Sequence, residues 1–242
     1  MLNEDFVGLA SGHGPDTEPL RRELVGYFES VNANVKCLHS PSDALYMAHE
    51  ILATASRPGI CAEFGCAAGG MAAKLSHVAA RIGKQYFVFD TFEGLPYSAD
   101  YEAYHPNVAK ASLFREGMFR HGLDEVSENI DKHGRLDCCV FVKGRVEDTL
   151  RFLSQPVAFG FIDLDLAPSA REVIRAVWGR LTGNGIFTHE ACVETYMEQI
   201  MDGAWWIESL GRQPPNLMHQ VQARPYGLNH SPCLDFLYKD YA

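Results

Sequence analysis

No stretch of this sequence approaches the ~20 consecutive apolar residues that a membrane-spanning helix needs. Nor is there a basic tract. With 21 Lys and Arg against 31 Asp and Glu, the formal net charge is -10, which argues against binding nucleic acid through its phosphates. The first residues, Met1-Leu2-Asn3-Glu4-Asp5, lack the basic region and apolar core of a secretory leader. No internal repeat is visible. The seven cysteines are scattered and the one close pair, Cys138-Cys139, is adjacent. That spacing suits neither a disulfide framework nor a zinc cluster, so reduced thiols in a cytoplasmic protein are expected. What the chain does have is a hydrophobic content of 47% over 242 residues, enough for a full core in one large domain, or one domain with an extension.

The segment Glu63-Phe64-Gly65-Cys66-Ala67-Ala68-Gly69-Gly70 organises the rest. An apolar run (Gly59, Ile60, Cys61, Ala62) leads into it, and a helix-forming run from Met71 to Ile82 follows. This is strand, tight turn, helix, the first unit of a nucleotide-binding α/β sheet. A dinucleotide site wants three glycines at set offsets, with the pyrophosphate on the helix N-terminus. Here the offsets read Gly65-x-Ala67-x-x-Gly70. Glu63 before the turn would repel a pyrophosphate and suit a cationic ligand. S-adenosylmethionine, with an ammonium, a sulfonium and no phosphate, is therefore the first reading and a dinucleotide the second.

Upstream, a helix is expected from about Pro19 to Ser30 in a segment, residues 1–40, read as a cap or oligomer contact; a partly ordered terminus is the alternative. Ser40-Pro41-Ser42-Asp43 signals a helix start, with the helix from Ala44 to Ala55. Strands are expected at 85–89, 138–142, 157–162 and 186–188, with helices at 168–181 and 192–201 between and after them. Trp205-Trp206 reads as an aromatic anchor in core or interface. Leu217–Arg224 and Cys233–Lys239 read as a final antiparallel hairpin. Residues 96–135 form a long insertion of the kind that folds over a site. Tyr97, Tyr101, Tyr104, His105 and Pro106 would pack there on an acceptor or on each other, and short helices are expected at Phe114–His121 and Asp124–Lys132.

Strand ends carry the chemistry. Asp90, with Thr91 and Phe92 behind it, falls where an acidic residue accepts hydrogen bonds from ribose hydroxyls; a cap or turn role is the alternative. Val146 would flank an adenine, and Glu147 would cap a helix from Asp148 to Leu153. Two further strand ends bring Asp163, Asp165, His189 and Glu190 to one edge of the sheet, the edge where ligands bind. Asp163, His189 and Glu190 form the expected catalytic and metal-ligating set. Oxygen ligands suit Mg²⁺ or Mn²⁺, and an imidazole favours Mn²⁺ or Fe²⁺. Such an ion would bind and acidify a substrate hydroxyl. The alternative is a helix cap or a metal-free acid/base pair. His105, His219 and His230 are further candidate bases.

Glu63-Phe64-Gly65 with Gly69-Gly70, Phe89-Asp90-Thr91-Phe92-Glu93-Gly94-Leu95-Pro96, Lys143-Gly144-Arg145-Val146-Glu147-Asp148-Thr149-Leu150 and Ile162-Asp163-Leu164-Asp165-Leu166 together resemble the macrocin O-methyltransferase family. The resemblance runs from about Pro41 to the C-terminus and includes the Ser40–Glu50 and Phe114–His133 regions. It implies a metal- and S-adenosylmethionine-dependent enzyme that methylates sugar hydroxyls in macrolide and related pathways, with Asp90 on the ribose and Asp163 on the metal. The family usually carries two adjacent aspartates after the fifth strand, where this chain has His189-Glu190. After Leu166 it has Ala167-Pro168 in place of an aromatic–acidic pair.

The expected protein is thus a Rossmann-like class I methyltransferase. It has a seven-strand, mostly parallel sheet with an antiparallel C-terminal hairpin and helices on both faces. Residues 41–242 form its catalytic domain, with Glu63, Gly65, Cys66, Ala67, Gly69, Gly70, Asp90, Thr91, Phe92, Val146, Glu147 and Asp163 around the donor. It would act on a small-molecule acceptor, most simply a glycosyl hydroxyl of an antibiotic-type natural product, as a homo-oligomer. The rivals are a metal-free methyltransferase for a phenol or amine, an NAD-dependent oxidoreductase, and a non-catalytic relative that binds no donor.

Overall fold

Five apolar runs form a parallel sheet: Ile60–Phe64 (β1), Tyr86–Asp90 (β2), Cys139–Lys143 (β3), Val157–Ile162 (β4) and Gly185–Thr188 (β5). Asp235–Tyr238 (β6) closes one edge antiparallel to β5, and the strand order is β3-β2-β1-β4-β5-β6. β1, β4 and β5 are buried at every position, as strands covered on both faces must be. The computed structural model describes residues 2–97, 115–217 and 233–239. Among these there are six strands, where seven were expected. Residues 218–224 of the missing hairpin arm lie outside the described residues, while Leu217 at its start bridges Leu237 antiparallel.

The helices divide between the two faces. Leu2–Gly8 (α1), Glu18–Asn34 (α2), Pro41–Ala53 (α3), Gly70–Arg81 (α4) and Leu123–His133 (α5) cover one face, meeting Cys61, Phe159, Phe161 and Phe187. Val146–Thr149 (α6), Ala167–Val177 (α7), Glu194–Ile200 (α8) and Gly203–Leu210 (α9) cover the other, meeting Ala62, Phe64 and Ile162. α3 starts three residues earlier than expected. Pro41 takes the first turn and Ser40 and Asp43 form a reciprocal capping box. α2 shares the main core through Leu24, Phe28 and Val31. Its buried Arg21 pairs with Asp16 at 2.6 Å, donates to the Phe6 carbonyl at 2.9 Å and meets His49 Nδ1 of α3 at 2.9 Å. Trp206 belongs to the core, its indole N–H donating to the Ile200 carbonyl at 2.7 Å.

Three local expectations are corrected. Residues 115–121 hold a turn at 116–119 and no helix. α5, expected in a lid, packs on α4 and holds the glycine turn, with Asn129 Nδ2 donating to the Ala68 carbonyl at 2.9 Å. Cys192 and Cys233 form a disulfide across 41 residues of sequence, because the pairing of β6 with β5 brings their Cα atoms within 4.4 Å; Cys37, Cys61, Cys66, Cys138 and Cys139 are free thiols. Tyr101, Tyr104, His105, Pro106, His219 and His230 lie outside the described residues. No helix among the described residues is long and apolar enough to cross a membrane.

Candidate active site

The sheet reverses its strand order between β1 and β4, and the carboxyl ends of β1, β2, β4 and β5 open there into one crevice, about 910 Å³ with the open solvent at its mouth included. This is the switch-point crevice where open α/β sheets bind ligands.

One half of the cavity is made of turns. After β1, Gly65 takes φ +88°, and a Cβ on it would stand 1.9 Å from the Asp163 carbonyl oxygen. Glycine is therefore demanded by the neighbouring strand end. A Cβ on Gly70 would stand 2.6 Å from the Lys36 carbonyl. Gly65, Cys66 and Ala67 line the cavity, whereas Gly69 and Gly70 lie behind it at the start of α4. The spacing that suggested a dinucleotide turn is thus explained by backbone packing. Asp90 closes the turn from β2. One carboxylate oxygen accepts from the Cys66 N–H at 2.7 Å and the other from the Phe92 N–H at 2.7 Å. The turn reading of Asp90 is met by these two bonds, and the residue also lines the cavity. Thr91 and Val146 also line it, while Phe92 turns into the core against Phe141. Glu147 lines it too, accepting from the Ser169 hydroxyl at 2.6 Å. It caps nothing: Arg145 is the N-cap of α6 and no side chain caps that end.

Glu63 is placed differently from the expectation. Strand alternation turns it onto the face of Cys61, away from the cavity, where it is fully buried and accepts from the Tyr86 hydroxyl at 2.9 Å. Burial pushes its carboxyl up to about 8, so at neutral pH it is an acid, not a cation-binding carboxylate.

The other half is made of side chains. Asp163 and Asp165 follow β4, and His189 and Glu190 follow β5. Backbone hydrogen bonds set their heights, Asp163 N–H to the Phe64 carbonyl and His189 N–H to the Ile162 carbonyl, both 2.8 Å. His189 Nδ1 lies 2.9 Å from Glu190 Oε1 and 3.3 Å from Asp163 Oδ1. A third group joins them that the sequence reading missed. His39, in the connector between α2 and α3, puts Nε2 at 3.1 Å from Asp163 Oδ2 and sets its ring edge-on to His189 at 4.6 Å. Its only sequence signal is its place directly before the Ser40 cap.

Charges in this half are strongly coupled. Burial would lower both imidazoles, but Asp163 outweighs it, holding His39 well above 6.5 and, with Glu190, raising His189 to about 10. Burial would raise Asp163, but the two imidazoles outweigh it and hold its carboxyl far below the usual carboxylate range. Asp165 goes the other way, pushed up by burial and then by Asp163 and Glu190. The donor chemistry fits a divalent ion. His39, Asp163 and His189 each present a ligand atom, all within 4.8 Å of one another. The buried His39 Nε2 has no aligned hydrogen bond despite its 3.1 Å approach to Asp163.

Comparisons with known proteins bear on the fold and the family. The macrocin-O-methyltransferase (TylF) family model matches residues 43–198. No curated protein sequence matches the chain. Among solved structures, the O-methyltransferase NovP is similar at 14% identity over 83% of this chain and 82% of that one, with a TM-score of 0.63. The calicheamicin methyltransferase CalS11 is similar at 19% identity over 91% and 93%, with a TM-score of 0.60. A Podospora anserina methyltransferase, PaMTH1, solved with S-adenosylhomocysteine, is similar at 14% identity over 90% and 88%, with a TM-score of 0.52. The chain belongs to the macrocin-O-methyltransferase (TylF) family and is an S-adenosylmethionine-dependent methyltransferase.

Proposed function

We propose that this enzyme transfers the methyl group of S-adenosylmethionine to a glycosyl hydroxyl of a small natural product, with a divalent ion bound at Asp163, His189 and Glu190. O-methyl transfer in natural-product biosynthesis follows from the family; the sugar acceptor and the ion are our reading. One observation carries it: a single cavity is bounded by the Asp90 turn on one side and by Asp163, His189 and Glu190 on the other. Donor and acceptor can therefore meet without leaving the sheet edge. One of the neighbours in fold, CalS11, is described as a TDP-rhamnose 3'-O-methyltransferase, which supports a sugar hydroxyl.

Methyl transfer is an in-line displacement. The acceptor oxygen bonds to the methyl carbon while the carbon–sulfur bond breaks and its electron pair goes to sulfur; the hydroxyl proton leaves to a base. The turn half serves the donor. The bare backbone at Gly65 admits close approach, Asp90 keeps lone pairs for ribose hydroxyls, and Val146 offers an apolar wall to an adenine. The side-chain half serves the acceptor. When bound, a divalent ion supplies Lewis acidity that lowers the pKa of a hydroxyl. As ligands of that ion, Asp163 and Glu190 would orient the hydroxyl, and its acidified proton would leave to solvent.

Calorimetry with S-adenosylhomocysteine tests the donor site, and absence of binding would overturn the reading. Mass spectrometry tests the acceptor: a glycosylated macrolide should gain one methyl group on a sugar. Methylation of a catechol in its place, with the glycoside untouched, would refute the glycosyl assignment. Activity should vanish in chelator and return with added metal; full activity in chelator would remove the ion from the reaction.

A further inference from the structure

The side-chain half contains one more nitrogen than its strand ends supply. His39 lies upstream of Asp43, where the family match begins. It nevertheless reaches the strand-end cluster, its side chain only 8% exposed and its ring edge-on to Phe161 at 5.4 Å.

The spacing of the polar atoms is informative. His39 Nε2 to Asp163 Oδ2 is 3.1 Å, His189 Nδ1 to Asp163 Oδ1 is 3.3 Å and His189 Nδ1 to Glu190 Oε1 is 2.9 Å. Neighbouring donors around an ion with bonds of about 2.1 Å sit about 3 Å apart. Hydrogen bonding alone accounts for this set poorly. Two carboxylates press on one ring nitrogen of His189, which has a single proton to give. His39 Nε2 is buried beside a carboxylate without an aligned hydrogen bond. The far side of the His39 ring also has a partner that can fix its orientation, as the second nitrogen of a ligand imidazole needs, here a sulfur in place of the more common oxygen. Its Nδ1 faces Cys37 Sγ at 3.7 Å, and that sulfur in turn accepts from the buried Lys74 Nζ at 3.3 Å. An ion taking the place of the Nε2 proton beside Asp163 would leave the Nδ1 proton directed at sulfur.

We propose that His39 is a metal ligand, and that the set His39, Asp163, His189 and Glu190 selects a borderline transition-metal dication (Fe²⁺, Co²⁺, Ni²⁺ or Zn²⁺) over Mg²⁺. Two imidazoles beside carboxylates suit such ions, whereas Mg²⁺ prefers an all-oxygen octahedron. The location of the site rests on the proposed methyl transfer; the identity of the ligands does not. Cys37 is a positioning residue that sets which His39 nitrogen faces the ion.

The test uses the full chain, stripped with chelator and titrated anaerobically with Co²⁺ and, separately, Mg²⁺. Co²⁺ should bind at least ~100-fold more tightly than Mg²⁺. Proton NMR of the Co²⁺-loaded wild type should show two solvent-exchangeable, hyperfine-shifted imidazole N–H signals. In His39→Gln one signal should disappear and Co²⁺ affinity should fall ~10- to 100-fold, with Mg²⁺ affinity unchanged. Cys37→Ala should weaken Co²⁺ less and broaden the His39 signal. A single imidazole signal in the wild type overturns the proposal even if the variant fails to fold. Equal affinity for Mg²⁺, or no Co²⁺ binding, overturns it as well. Binding of S-adenosylhomocysteine is measured on the same samples. Its loss with the two-imidazole signature intact would refute the methyltransferase site and spare the ion site.

Discussion

The cavity is bounded by two halves of different material. The half beneath β1 and β2 is mostly backbone, held by one aspartate. The half beyond β4 and β5 is a knot of charged side chains drawn from three separate parts of the chain. In the first, Asp90 spends two lone pairs on the Cys66 and Phe92 amides, and the shape survives on steric demands such as that at Gly65. In the second, each group's charge state depends on its neighbours. Asp163 is kept ionised by two imidazoles, and they are kept protonated by it. Backbone is suited to recognising a constant cofactor. Side chains can be exchanged, and it is on this half that the chain carries His189-Glu190 where the resemblance implies two aspartates.

The strongest way to separate the halves is to remove Asp163. Asp163→Ala should lower kcat by about 10²- to 10³-fold, the usual cost of deleting an electrostatic group at the reacting centre. S-adenosylhomocysteine should still bind within a few-fold in calorimetry. Equal losses of both would mean that the halves are one site.

Gly65→Ala should cost about 3 kcal/mol or more of stability in urea titration, since a Cβ 1.9 Å from the Asp163 carbonyl forces two strand ends apart. A neutral outcome would break the steric account of this turn. Asp90→Ala comes next. Losing charged hydrogen bonds worth about 1.5–3 kcal/mol should weaken S-adenosylhomocysteine ~10- to 100-fold, while kcat at saturating donor changes little. A kcat loss with unchanged affinity would move Asp90 out of the donor half.

The smallest effect belongs to Glu63. If the turn half recognises its ligand through backbone, Glu63→Gln should leave S-adenosylhomocysteine affinity within about 2-fold, because a protonated acid hydrogen-bonds much as an amide does. Its signature is in stability. The folded carboxyl sits at about 8 and its ordinary value is 4.5, so the folded state binds the proton more tightly than the unfolded. Stability from this group is complete below about pH 4.5 and falls as pH rises to about 8. Thermal melts of Glu63→Gln should lack that decline. A large loss of donor affinity would instead restore Glu63 as a ligand-binding carboxylate.

The turn half was legible because each of its signals is local. A strand's apolar run predicts where it ends, and the next residue is then on the ligand edge. Asp90, Asp163 and His189 follow from register in this way, and Val146 and Glu147 follow from the short turn after β3. Glu63 misled because nearness to the turn in sequence was taken for nearness in space, and strand alternation sends it to the opposite face. Gly69 and Gly70 misled for a related reason, since small residues serve packing against α5 and residue 36 as well as they serve a ligand.

The sequence by itself determined the parallel sheet, its carboxyl-edge residues and the family, because these depend on periodicities and short motifs within single βα units. Only the tertiary structure decided that His39 completes the charged cluster, that Glu63 is sealed in the core, and that Cys192 and Cys233 meet. Each of those depends on two segments far apart in sequence converging across the sheet. Residue type and spacing carry no information about that convergence until the helices have packed.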